Sequence, residues 1–109
     1  MAPDWSDWRG FPDPRSFGIL VAPFGPGVYE LRNEEALVYC GSGGNVALRM
    51  SSLLPSPLGA GTRNNAPLRD YILQNISRIQ YRTLPCAVRG EATTREYELK
   101  RSSTYLFHT

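Results

Sequence analysis

The apolar positions fall into three short strand-like stretches and three stretches of helical spacing. Gly27 to Arg32 reads as a strand and Ala36 to Gly41 as another, with Asn33-Glu34-Glu35 between them as a hairpin turn. Ser42-Gly43-Gly44 then breaks the second strand, and Asn45 is placed to cap a helix running to about Leu54, with Val46, Met50 and Leu53 on one face. Pro67 introduces a second helix, Leu68 to Ile76, whose buried stripe is Leu68, Ile72 and Ile76. Arg78 to Val88 reads as a third strand with Ile79, Tyr81 and Thr83 on one face. Pro85 marks its end as an edge or a departure from the sheet. Glu91 to Arg101 forms a last helix, and Tyr105-Leu106-Phe107 is a short apolar tail that should dock. The order predicts an α+β fold: a small three-stranded, mainly antiparallel sheet flanked by helices.

Two stretches stand outside this pattern. Residues 55–66 are rich in Pro, Gly, Ser and Asn and carry Arg63, which predicts a loop. The first 27 residues hold five of the nine prolines and both tryptophans. They predict an irregular N-terminal arm over 1–24, with Phe17 to Phe24 a short strand at most, ahead of a domain over 25–109. Trp5 and Trp8 either pack this arm onto the domain or form an interface, for instance a homodimer through the arm.

Composition narrows the chemistry. A chain of 109 residues makes one domain with a modest core. Its longest apolar run, Ile19 to Phe24, is far short of a membrane span, and the acidic, aromatic N-terminus is unlike a signal peptide. The expectation is a cytoplasmic domain with no membrane partner. Cys40 and Cys86 are too few for a disulfide framework or a four-cysteine zinc site, and one histidine, His108, gives a catalytic triad little to build on. The formal charge of +2 hides an asymmetry. Residues 1–35 carry six carboxylates against three arginines, whereas residues 36–109 carry four against nine basic residues. The basic body favours an anionic partner.

Two charged residues lie where helical geometry expects apolar ones. At about 100° per residue from Ala92, Glu96 falls at about 40° and Leu99 at about 340°, so Glu96 sits on the stripe that faces the core. A carboxylate there needs a salt bridge, with Arg49 one candidate, or a metal, or a cleft. Arg49 borders the apolar stripe of its own helix, either snorkelling at the core edge or aimed at an anion. In the hairpin, a three-residue turn sets Tyr29 and Tyr39 opposite each other on one face, and a two-residue turn sets them on opposite faces. Gly41 and Ser42 lead into a glycine loop that a ligand backbone could approach, but no Lys-Ser/Thr follows, so a nucleotide P-loop is excluded.

Together these positions resemble the GIY-YIG nuclease family. Gly27-Val28-Tyr29 is similar to the first motif and Tyr39-Cys40-Gly41 to the second. Arg49 stands where the family has an arginine on the first helix, and Glu96, followed by Leu99, where it has a metal-binding glutamate. The resemblance covers roughly residues 25–109. Ser42, Leu53 and His108 depart from it: the family often has lysine, tyrosine or histidine, and asparagine at these places.

The resemblance implies a metal-dependent endonuclease that hydrolyses DNA phosphodiester bonds. Glu96 would hold Mg²⁺ or another divalent cation such as Mn²⁺, with Tyr39 as general base, Tyr29 orienting water or phosphate, and Arg49 neutralising transition-state charge. His108 would add a hydrogen bond, and Gly41, Ser42 and Arg63 would meet the substrate. The alternative keeps the fold with catalysis weak or lost, as a nucleic-acid-binding or dimeric interaction module.

Overall fold

The computed structural model describes residues 5–12, 20, 22–51, 53 and 66–107. Its elements are strands β1 (Arg9–Gly10), β2 (Gly27–Asn33) and β3 (Ala36–Gly43), helices α1 (Val46–Ser51) and α2 (Ala66–Gln74), strand β4 (Ile79–Pro85) and helix α3 (Arg89–Ser102). The sheet has the order β1-β4-β2-β3, and every neighbouring pair is antiparallel. The α+β expectation therefore holds, with four strands in place of three. The extra strand comes from the N-terminal segment, which lies along the outer edge of β4. Ser6 N–H donates to Thr83 O (2.9 Å) and Phe11 N–H to Ile79 O (2.8 Å). This pairing satisfies backbone groups that an open edge would leave unpaired. Residues 17–19 and 21 of the strand considered over 17–24 lie outside the described residues, and Leu20 and Ala22 to Phe24 are not strand.

The β2–β3 hairpin turns on Glu34-Glu35, one residue fewer than a three-residue turn, with Glu34 at a φ of 55°. A two-residue turn alone would put Tyr29 and Tyr39 on opposite faces. The register shifts, however, between Leu31, which faces Tyr39, and Arg32, which faces Leu37. Val38 is thus the extra residue of a β-bulge, and the bulge restores the parity. Tyr29 faces Gly41, and the two tyrosines share a face with ring centroids 6.1 Å apart. The predicted break at Ser42-Gly43-Gly44 also shifts, because β3 continues through Ser42 and Gly43.

The sheet is packed on both faces. On one, Tyr29, Leu31, Tyr39, Ile79 and Tyr81 pack against Val46, Met50 and Leu53 around α1 and Leu68 and Ile72 of α2. On the other, Val28, Leu84 and Ala92 of α3 form a smaller cluster, with Trp5, Cys86 and Leu99 at its margin. Each fully buried Met50 or Ile72 contributes roughly 1.5–3 kcal/mol, so the larger cluster holds the hairpin to its helices. The apolar tail docks as expected. Leu106 and Phe107 donate backbone hydrogen bonds to Leu37 O and Val38 O, Tyr105 is buried, and Phe107 stacks near Tyr71 at 5.2 Å.

Candidate active site

Strand β3 is an edge strand, and its last residues, Gly41 to Gly43, are where the candidate side chains converge. Gly41 is glycine because Tyr29 lies across it: a Cβ there would stand 2.5 Å from the Tyr29 hydroxyl and 2.6 Å from its ring carbon. Two residues on, the aliphatic stem of Arg49 covers Gly43, where a Cβ would meet it at 3.4–3.5 Å. Asn45 caps α1, its side-chain oxygen accepting from Leu48 N–H at 3.1 Å, which fixes the turn on which Arg49 is carried. Arg49 itself is exposed. Tyr29 and Tyr39 are 0% and 1% exposed, so their rings belong to the core on this side of the sheet.

The pleat sends Ser42 to the other face, where α3 lies. Ser42 Oγ donates to Glu96 Oε1, and Lys100 Nζ pairs with Glu96 Oε2 at 2.5 Å. The Glu96 side chain is 19% exposed, on the stripe between Ala92 and Leu99 as the helical spacing predicts. Its partners among the described residues are Ser42 and Lys100, and not Arg49. The site thus straddles a strand edge: Tyr29 and Arg49 approach Gly41 and Gly43 from one face, and Ser42, Glu96 and Lys100 occupy the other. Tyr39 lies deeper, beside Tyr29. Arg63 and His108 lie outside the described residues, although Phe107, the residue before His108, is tied to Val38 next to Tyr39.

The donor set at Glu96 suits a hard divalent cation. It offers carboxylate and hydroxyl oxygens, partly open to solvent, and Mg²⁺ takes one or two carboxylates and keeps several waters. Among the described residues no group of three or more His, Cys, Asp or Glu side chains comes together, so a cation held by Glu96 would draw most of its remaining ligands from water or substrate oxygens.

A second polar cluster on the same face is less legible in the sequence. Glu30 is 1% exposed in the middle of β2. Arg82 from β4 donates to its Oε1 through Nε at 2.9 Å and Nη2 at 2.7 Å, and the Tyr105 hydroxyl donates to Oε2. Arg82 in turn stacks on Trp5 and Trp8 at 4.3 and 4.7 Å, and Arg32 on Trp8 at 4.1 Å. These stacks add to the β1–β4 pairing that holds the described part of the arm. The adjacent Cys40 thiol is pushed up to about 11 by burial. The Tyr105 phenol is raised further, first by burial and then by its bond to the Glu30 carboxylate. Neither thiol nor phenol is ionised at neutral pH. The signal for this cluster was a carboxylate at an inward position of a strand, facing an arginine two strands later.

Sheet order, hairpin and helices define a GIY-YIG-like domain. Solved structures of the GIY-YIG N-terminal endonuclease domain of UvrC from Thermotoga maritima have this fold. The domain bound to its catalytic magnesium is 21% identical and matches with a TM-score of 0.63 over 88% of this chain and 96% of that one. Two point mutants bound to the catalytic divalent cation match with TM-scores of 0.62 and 0.63. No protein-family model and no curated protein matches the chain.

Proposed function

We propose that the protein is a metal-dependent endonuclease acting on DNA. The observation that carries this reading is the convergence of Tyr29, Arg49, Ser42 and Glu96 on residues 41–43 of β3, within a fold shared with a magnesium-bound endonuclease domain. Glu96, steadied by Ser42, would hold the divalent cation, which supplies charge neutralisation at the scissile phosphate and at the leaving oxygen.

This chain's own residues do the rest. Arg49, exposed beside Gly43, neutralises charge that grows on the phosphoryl oxygens. Gly41 and Gly43 seat the Tyr29 ring and the Arg49 stem at this edge, and Ser42 between them would meet the substrate. Tyr29, lying across Gly41, orients the water or the phosphate. Tyr39 would act as general base once substrate has parted the edge above it: its phenolic proton passes to solvent, and the phenolate oxygen then takes the proton of the attacking water. His108, next along from the docked Phe107, hydrogen-bonds the substrate, and Arg63 contacts the phosphates. Residues 25–109 form the nuclease domain on this reading, with residues 1–24 as its N-terminal arm. Trp5 and Trp8 are engaged on Arg32 and Arg82 within the chain, so an arm-mediated homodimer is not invoked.

The test is cleavage of single-stranded, duplex and branched DNA by purified protein with Mg²⁺ or Mn²⁺. Nicking or cutting should disappear in Glu96→Gln, Tyr39→Phe and Arg49→Ala while each variant keeps its thermal transition. Activity that Glu96→Gln spares would overturn the reading. One observation favours a second reading, in which the domain binds nucleic acid with little hydrolysis: both Glu96 oxygens already have partners. Steeply salt-dependent DNA binding without cleavage would identify it.

A further inference from the structure

The Glu96 carboxylate has two oxygens and both are engaged, Oε1 by the Ser42 hydroxyl and Oε2 by the Lys100 ammonium. The two partners are not alike. Ser42 is a neutral donor on a strand held in register, and its oxygen keeps lone pairs of its own. Lys100 is a full cation on a flexible stem, one helical turn beyond Glu96, with a side chain 30% exposed. A glutamate four residues before a lysine is the favoured order for such a pair on a helix. It therefore forms without help from the rest of the fold.

A divalent cation bound to a carboxylate oxygen sits at about 2.0–2.1 Å. An ammonium 2.5 Å from one of the same two oxygens would then lie within a few ångströms of the metal. Two cations at that separation repel strongly where solvent screens them only in part, and the mobile monovalent one is the one that yields. We propose that Lys100 is the resident counter-cation of Glu96, displaced when the metal binds, and that its released ammonium then serves as a phosphate ligand for the substrate. This rests on Glu96 being the metal ligand.

The chemistry that follows is specific. Without metal, Lys100 neutralises Glu96, so an anionic backbone approaching β3 does not meet an uncompensated carboxylate. With metal, the charge at Glu96 is compensated twice over, and the lysine turns outward to a phosphate oxygen as a point charge on a long stem. Lys100 thereby couples metal binding to substrate binding: a substrate phosphate stabilises the displaced ammonium, so each promotes the other's affinity. Ser42, by contrast, stays in place in both states.

The test uses the full chain and Mn²⁺ alone as probe, with free Mn²⁺ measured by electron paramagnetic resonance. A partly screened i,i+4 pair holds back roughly a factor of two to five in competing affinity. Lys100→Met should therefore bind Mn²⁺ about two- to fivefold more tightly than wild type without nucleic acid. Lys100→Arg, which keeps the charge, should not. Lys100→Met should also raise KM for an oligonucleotide severalfold with Mg²⁺ saturating, and equal thermal transitions would show that the fold is intact. If wild type binds Mn²⁺ through Glu96, as Glu96→Gln reveals, and Lys100→Met binds it no more tightly, the lysine proposal fails while the endonuclease reading survives. If neither wild type nor Lys100→Met binds Mn²⁺ through Glu96, the metal assignment itself fails.

Discussion

Gly41 is where one methyl group has most to disrupt. The Tyr29 ring occupies the space a Cβ would need, so Gly41→Ala must push a fully buried tyrosine out of a packed core, a cost of about 1–3 kcal/mol. Urea denaturation should show that loss. Replacing Tyr29 by leucine in the same chain should recover part of it, and additive effects of the two changes would contradict the contact. Cys40 gives a pH prediction. Its thiol is raised by burial from 9.0 to about 11, so the folded state disfavours the thiolate. Its contribution to stability is fully present below about pH 9 and lost as pH rises toward 11. Cys40→Ala should flatten the alkaline arm of the stability curve by at most about 2–3 kcal/mol, and native Cys40 should resist alkylation at neutral pH. At this scale Glu96 was readable from helical spacing alone, because a carboxylate between Ala92 and Leu99 can only be inward. Lys100, the one lysine of the chain, falls near the same stripe four residues on, and its contact with Glu96 gives that position a role.

Among the elements, the hairpin shows what pattern conveys and what it does not. Both strands followed from their apolar positions. Their register did not, because a two-residue turn and a bulge at Val38 together give the same parity as a three-residue turn. Ser42-Gly43-Gly44 reads as a break in the sequence, since glycines weaken a strand. β3 persists through Gly43 because a tyrosine and an arginine stem cover the glycines in place of their own side chains. The N-terminal segment was least readable: its prolines suggest irregularity, whereas it pairs with β4 through β1 and backbone hydrogen bonds, and its two tryptophans stack on arginines of other strands. Arg82 is the pivot of that hold and the ion partner of buried Glu30. Arg82→Met should cost about 2–4 kcal/mol, mostly from stranding the Glu30 charge, and Glu30→Gln in the same chain should return much of it. Thermal denaturation of the single and double variants checks this, and a double variant less stable than Arg82→Met would contradict it.

For the whole molecule, the acidic N-terminal third and basic remainder were visible in the sequence, and the fold gives that asymmetry a place. Arg49, Lys100 and Arg89, the last beside Gly44, surround the end of β3. The proposed DNA binding should weaken steeply as salt rises, because phosphate contacts release counterions. Replacing Arg89 by alanine should lower that slope without changing the fold. Among the described residues no helix is long and apolar enough to cross a membrane. The central claim is that Glu96 anchors a divalent cation for phosphodiester hydrolysis at the β3 edge. Its most direct test is a titration of Mg²⁺ into wild-type and Glu96→Gln protein with labelled DNA, following strand scission. Scission should rise and saturate with Mg²⁺ in wild type, stop on chelation, and be absent in Glu96→Gln at every Mg²⁺ concentration. Equal scission in the two proteins, or scission indifferent to chelation, would contradict it.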